Sequence, residues 1–167
     1  MNKKQLFLFF LVLMGQLTAS AQSLESGSLL SLQAEKKANF EIVFASIHGM
    51  EEQDFGKYEE DWYKDKPEIV AIFTSYANDK LEGTLRLGKY PDAKYTVRAT
   101  VNSINMKGNY VCDMTVLTSD GTEIARVSDI KEDGGTFGSK LNLIKDGAEH
   151  TGKKFGAILK RLIKKAK

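Results

Sequence analysis

Proton transfer, nucleophilic attack and soft-metal ligation at neutral pH draw first on histidine and cysteine. This chain has two histidines, His48 and His150, and one cysteine, Cys112. Residues so few and so far apart do not match the ligand spacing of a Cys/His zinc cluster. No nucleophile-elbow glycine pattern surrounds any serine. Carboxylates crowd between Glu51 and Asp61, where a glycosidase-like acid/base pair is conceivable. With Lys57 and Lys64 interleaved at helical spacing, the same residues read as a solvated helix face. Gly134-Gly135-Thr136-Phe137-Gly138-Ser139-Lys140 supplies glycines and a lysine ahead of a helix, the ingredients of a phosphate cradle. Its spacing fits neither a P-loop nor a Rossmann turn. The expected role is a bend past a sheet edge, with weak anion binding at the Ser139 end as the alternative. No catalytic residue, metal ligand or cofactor is assigned from these patterns.

The elements that would position such groups follow from hydrophobic period. Phe40, Ile42 and Phe44 alternate in a strand that ends near His48-Gly49. From Glu51 the period becomes helical, with Phe55, Tyr58 and Trp62 on one face. Pro67 restarts the helix with Asp65 as its cap, and an apolar stripe continues to Gly83. A short strand at Leu85-Arg86-Leu87 is an option, and Tyr90-Pro91-Asp92 is a turn. Tyr95, Val97, Ala99 and Val101 alternate against Thr96, Arg98, Thr100 and Asn102, as in a sheet with one covered face. Lys107-Gly108-Asn109 and Ser119-Asp120-Gly121 suit hairpins, which makes the next strands a meander. Ser139 caps a last helix carrying Leu141, Ile144, Ala148, Phe155, Leu159, Leu162 and Ala166, with Ala148, Gly152 and Gly156 spaced for close approach to the sheet. The expected fold is α+β: a mainly antiparallel sheet of four to five strands, ordered β-α-(β)-β-β-β-α, with helices on one face and Trp62, Phe73, Phe155 and Leu159 in the core.

Lys3 and Lys4, the apolar run Leu6 to Met14 and the small-x-small triplet Ala19-Ser20-Ala21 predict a signal peptide cleaved between Ala21 and Gln22. The run is well short of the roughly 20 residues that span a bilayer. The expected domains are residues 1–21 as signal peptide, 22–38 as a leader and 39–167 as one α+β domain. The product is expected to be exported, periplasmic or secreted, with no cysteine at the cleavage site for a lipid anchor. Across the full chain 24 basic residues face 22 acidic ones, and loss of Lys3 and Lys4 balances them, which gives no reason to expect a nucleic-acid partner. A lone cysteine makes no internal disulfide. Cys112 alternates in phase with Tyr110, Met114 and Val116, so it is expected to be buried and inert.

The most asymmetric feature is the last helix, where Lys153, Lys154, Lys160, Arg161, Lys164 and Lys165 lie opposite Phe155, Ile158, Leu159, Leu162 and Ile163. Five such apolar side chains are worth about 8–15 kcal/mol when buried, comparable to a whole domain's stability. The apolar side is therefore expected in the core rather than in a membrane. The basic stripe is left for solvent, for an acidic partner or for an anionic surface.

Phe40-Glu41-Ile42 with the His48-Gly49-Met50 turn, the helix through Asp61-Trp62, Tyr90-Pro91-Asp92-Ala93-Lys94-Tyr95 and the Gly134–Gly138 bend together resemble an uncharacterised family of small exported Bacteroidetes proteins. The resemblance carries no assigned activity and transfers no functional residue. In element order the chain is also similar to envelope domains such as the amino-terminal domain of TolB and penicillin-binding-protein activator lipoproteins, a likeness of architecture alone. The resulting expectation is a non-catalytic exported binding or adaptor module. Its partner would be an envelope protein or anionic surface, met through Arg98, Thr100 and Asn102 on the sheet or through the helix cations. The alternatives are a hydrolase with an unrecognised His/carboxylate site and a self-assembling structural component of the envelope, the oligomeric state being open.

Overall fold

A computed structural model describes residues 22–167. The expected signal peptide, including Ala21, lies outside these residues. The chain forms β1 (Ser26–Gly27), a 3-10 turn (Leu30–Ala34), β2 (Lys37–Phe44), α1 (Glu52–Tyr58), α2 (Trp62–Leu81), β3 (Arg86–Gly88), β4 (Tyr95–Ile104), β5 (Tyr110–Thr118), β6 (Glu123–Glu132) and α3 (Lys140–Lys165). This is an α+β fold, with one six-stranded sheet in the order β1-β6-β5-β4-β2-β3.

The sheet is mixed and has six strands rather than four to five; three of its five pairings are antiparallel and two are parallel. The β4–β5–β6 meander forms through the two expected hairpins, but β2 runs parallel to both β4 and β3. Parallel neighbours need a long crossover, and here α1 and α2 supply it between β2 and β3. The segment expected as a leader is part of the domain. Ser26 and Gly27 pair with Arg126 and Ala125 on the β6 edge, and Leu29 and Leu32 are buried.

Alternation along β4 buries Val97, Ala99 and Val101 under the helices, with Ala38, Phe40 and Phe44 beside them on β2. Trp62, Phe73, Phe155 and Leu159 are all fully buried in that core. Phe73 lies 5.8 Å from Phe40 and 5.3 Å from Phe155, ring to ring. A second aromatic group at the other end joins Phe44, Trp62 and Phe55, each neighbouring pair 5.3 Å apart and edge to face.

The helix break falls at Glu59–Asp61, not at Pro67, and the first residue of α2 follows Asp61 rather than Asp65. Proline at position 67 deprives only the Tyr63 carbonyl of its helical partner. Tyr63 lies in the first turn at an exposed position, and α2 runs through without interruption. At α3 the expected cap is present, with Asn142 N–H donating to Ser139 Oγ at 3.3 Å.

Contacts between α2 and α3 keep a nearly constant offset, from Lys145 on Glu68 through Lys153 over Tyr76 to Lys160 on Glu82, so the helices run in the same direction. Gly152 and Gly156 bring them together, because a Cβ at either position would meet the Phe73 or Ala77 carbonyl oxygen at 2.4 or 2.2 Å. The close approach that the small residues allow is therefore to α2, not to the sheet.

One polar device closes the β3 border. Arg86 N–H bonds to Lys36 O on the inner side, which turns the Leu87 amide and carbonyl outward. Asn78 of α2 meets both: Leu87 N–H donates to Asn78 Oδ1 at 2.8 Å, and Asn78 Nδ2 donates to Leu87 O at 2.9 Å. A side-chain amide thus does for this strand what another strand would do.

Candidate functional site

Four of the six cations singled out on α3 are engaged within the chain. Lys153 pairs with Glu149 and sits 4.6 Å over the Tyr76 ring. Lys154 pairs with Glu132 at 2.8 Å and also donates to Lys131 O. Lys160 reaches Glu82 at the end of α2, and Arg161 donates to Gln22 O. Lys160 holds the Glu82 carboxyl below the usual carboxylate range by hydrogen bond and charge. Lys164 and Lys165, in the last turn, are exposed and form no ion pair with a described residue; their charges complement the helix dipole. The opposite side of α3 is buried, with Phe155, Ile158, Leu159 and Ile163 in the core and Leu162 packed against it.

The sheet face away from the helices has no element over it among the described residues. Register places Glu41, Arg98, Thr115 and Arg126 in one transverse row across β2, β4, β5 and β6. Arg98 Nε donates to Glu41 at 3.0 Å, and Arg126 is held by Glu123 with Asp113 at 3.9 Å. Thr115, between the two arginines, is buried although it lies on the open side. Thr100 is half-buried one register step along, and Asn102 is exposed beyond it. The structure thus brings Arg98, Thr100 and Asn102 together on one largely polar face, with the exposed Val43 in register with Thr100.

His48 takes a left-handed backbone (φ 53°) in the turn after β2, where its N–H donates to Ile104 O at 2.7 Å. Its ring packs edge to face on Phe55 at 5.1 Å, and both ring nitrogens are inaccessible and without hydrogen-bond partners. Burial first, then the Lys140 charge, pushes its pKa below the ordinary histidine value, against the opposing charge of Glu59. Neither nitrogen can reach a substrate in this conformation. His150 is exposed, with Nδ1 3.0 Å from Asp133 O. Cys112 is buried, and desolvation pushes its thiol up to about 12, which leaves it protonated at neutral pH. Among the described residues no cluster of three His, Cys, Asp or Glu side chains could hold a metal ion, and no helix is long and apolar enough to cross a membrane.

The glycine-rich turn is shaped by contact. A Cβ at Gly134 would lie 2.2 Å from Lys107 O, so the loop runs tight against the β4–β5 hairpin, and Ser139 at its end is occupied as a helix cap.

Sequence reasoning missed a groove of about 940 Å³ along the outer side of α2, between that helix and the β3 border. Pro67, Val70, Ala71, Thr74, Ser75 and Asn78 line its helix wall, and Leu85, Arg86, Gly88 and Lys89 line the other. The spacing of those α2 positions is visible in the sequence, but the strand facing them is only three residues long, too short for hydrophobic alternation to mark it.

No known family's sequence model matches the chain, and no curated protein does. Thirteen chains of solved structures match. A single-substitution variant of the PelC dodecamer from Paraburkholderia phytofirmans is 15% identical, with a TM-score of 0.45 over 82% of this chain and 96% of that one. A second crystal form of the PelC dodecamer from the same organism is 14% identical, with a TM-score of 0.42 over 79% of this chain and 96% of that one.

Proposed function

We propose that this chain is a non-catalytic, exported binding or adaptor module of the cell envelope that meets its partner through the uncovered sheet face. The observation that carries the reading is the contrast between two surfaces. Most of the cations of α3 are tied to acids and carbonyls of the same chain, whereas the β2–β4–β5–β6 face is largely polar and has no described element over it. Arg98 is paired with Glu41, and Arg126 with Glu123 and Asp113 outside the row, so both arginines are already matched in charge and a partner would dock without first breaking a buried charge pair. Side chains fixed by cross-strand pairs lose little further entropy on association.

The test places a photo-crosslinking amino acid at Asn102 or Thr100 of the full chain in its native host, with Lys164 and Lys165 as reference positions. One envelope component captured from the two sheet positions and absent from the two helix positions is the expected result. Capture from the helix positions alone, or none from Asn102 and Thr100, overturns the assignment.

A further inference from the structure

We infer that the groove between α2 and β3 is a binding site for an anionic amphiphile, a single acyl chain bearing a carboxylate. It lies beside the helix layer and is separate from the sheet face proposed above. From Lys66 to Asn78 the helix wall rises about 18 Å at 1.5 Å per residue, so the cavity is long rather than round.

The lining decides the ligand class by what it can and cannot offer. Pro67, Val70 and Ala71 give the lining accessible apolar surface that suits a hydrocarbon, and Phe40 and Leu85, which also line it, are buried. Two of the neutral polar side chains in the lining are already engaged within the chain. The Thr74 hydroxyl donates to Val70 O at 2.7 Å, and Asn78 spends both ends of its amide on Leu87. At β3 itself the Asn78 contacts occupy the Leu87 amide and carbonyl that an added peptide strand would use.

Charge then selects the head group. The lining holds Lys66, Arg86 and Lys89 against a single acid, Asp79. Lys66 is neutralised by Glu52 and lies 5.6 Å over the Phe44 ring. Arg86 and Lys89 are exposed and form no ion pair with any described residue. Two uncommitted cations beside an apolar trough match a carboxylate at the end of a chain.

The experiment titrates the full chain by calorimetry with laurate below its micellar concentration, with 1-dodecanol and inorganic phosphate as comparison probes. One laurate per chain is expected, with phosphate alone giving no heat and 1-dodecanol binding more weakly. Replacing Arg86 and Lys89 together by serine weakens laurate by about ten-fold, the scale of losing a charge-assisted hydrogen bond, and leaves 1-dodecanol unchanged. Ala71→Trp, at an exposed position on α2, fills the trough and abolishes binding of both chains, with circular dichroism checking that the fold is kept. Laurate binding that survives Ala71→Trp overturns the site, and laurate binding indifferent to the double serine variant overturns the choice of an anion. Absence of laurate binding to the unaltered chain overturns the inference while leaving the sheet-face assignment untouched.

Discussion

Gly156→Ala adds one methyl group where α2 and α3 meet backbone to backbone. The new Cβ would stand 2.2 Å from Ala77 O and 2.8 Å from Ala77 Cα, so neither neighbour can swing aside. Restoring a normal contact requires the helices to part by about 1 Å, a gap that forfeits a quarter to a half of each dispersion contact along the seam. Phe73, Leu81, Phe155 and Leu159 all pack there. Overpacking of this kind costs up to about 3 kcal/mol, and exchanging glycine for alanine inside a helix returns about 1 kcal/mol, for a net loss of about 2 kcal/mol. In a chain of this size that lowers Tm by about 4–8 °C. The Gly152→Ala/Gly156→Ala double variant loses less than the sum of its parts, because helices parted for one methyl already admit the other. Gly56→Ala is the internal comparison. Its Cβ would meet the Tyr63 ring at 2.3 Å, but that ring is exposed and free to rotate, so stability rises by up to about 1 kcal/mol. Thermal and urea melts followed by circular dichroism measure these three variants, together with Gly152→Ala alone and the unaltered chain. A Gly156→Ala melt at or above the unaltered one, or strictly additive losses in the double variant, would refute the reasoning.

Two further outcomes follow from buried groups. His48 has a folded pKa below its ordinary value, so the unfolded chain binds more protons as pH falls through about 6.5. Stability is therefore complete above that pH and declines below it, by at most about 1.4 kcal/mol per pH unit, until the folded pKa is passed. His48→Asn, which tolerates the left-handed backbone, flattens the slope in urea melts between about pH 7 and 5. Equal slopes would remove His48 as the cause. Cys112, its thiol pushed up to about 12 by burial, is expected to resist an aromatic disulfide reagent at neutral pH and to react fully in denaturant. Rapid labelling of the native chain would contradict that burial.

What the sequence disclosed was mainly local. Lys107-Gly108-Asn109 and Ser119-Asp120-Gly121 announce hairpins because the turn and both strands are contiguous, and Ser139 announces a helix start for the same reason. The neighbours of β2 leave no such mark, since parallel strands are joined through distant segments and either hand of pairing satisfies the Phe40–Phe44 alternation. The β1 strand and the buried Leu29 and Leu32 sit in a serine-rich stretch whose composition reads as a loop. At the candidate sites the cations were visible but their partners were not. Glu82 and Glu132 lie on other elements, so the engagement of Lys160 and Lys154 emerges only once α2, β6 and α3 are assembled. The row through Arg98 depends likewise on the register of four strands.

The two ends of the sheet have a consequence for life at high concentration. One border is a two-residue strand, and the outward bonding capacity of the other is saturated by the Asn78 carboxamide. Those borders are short, however: β3 covers β2 only from Lys37 to Asn39 and β1 covers β6 only at Ala125 and Arg126, so the remaining stretches of β2 and β6, with no strand beyond them among the described residues, are where a second copy would add a strand at high concentration.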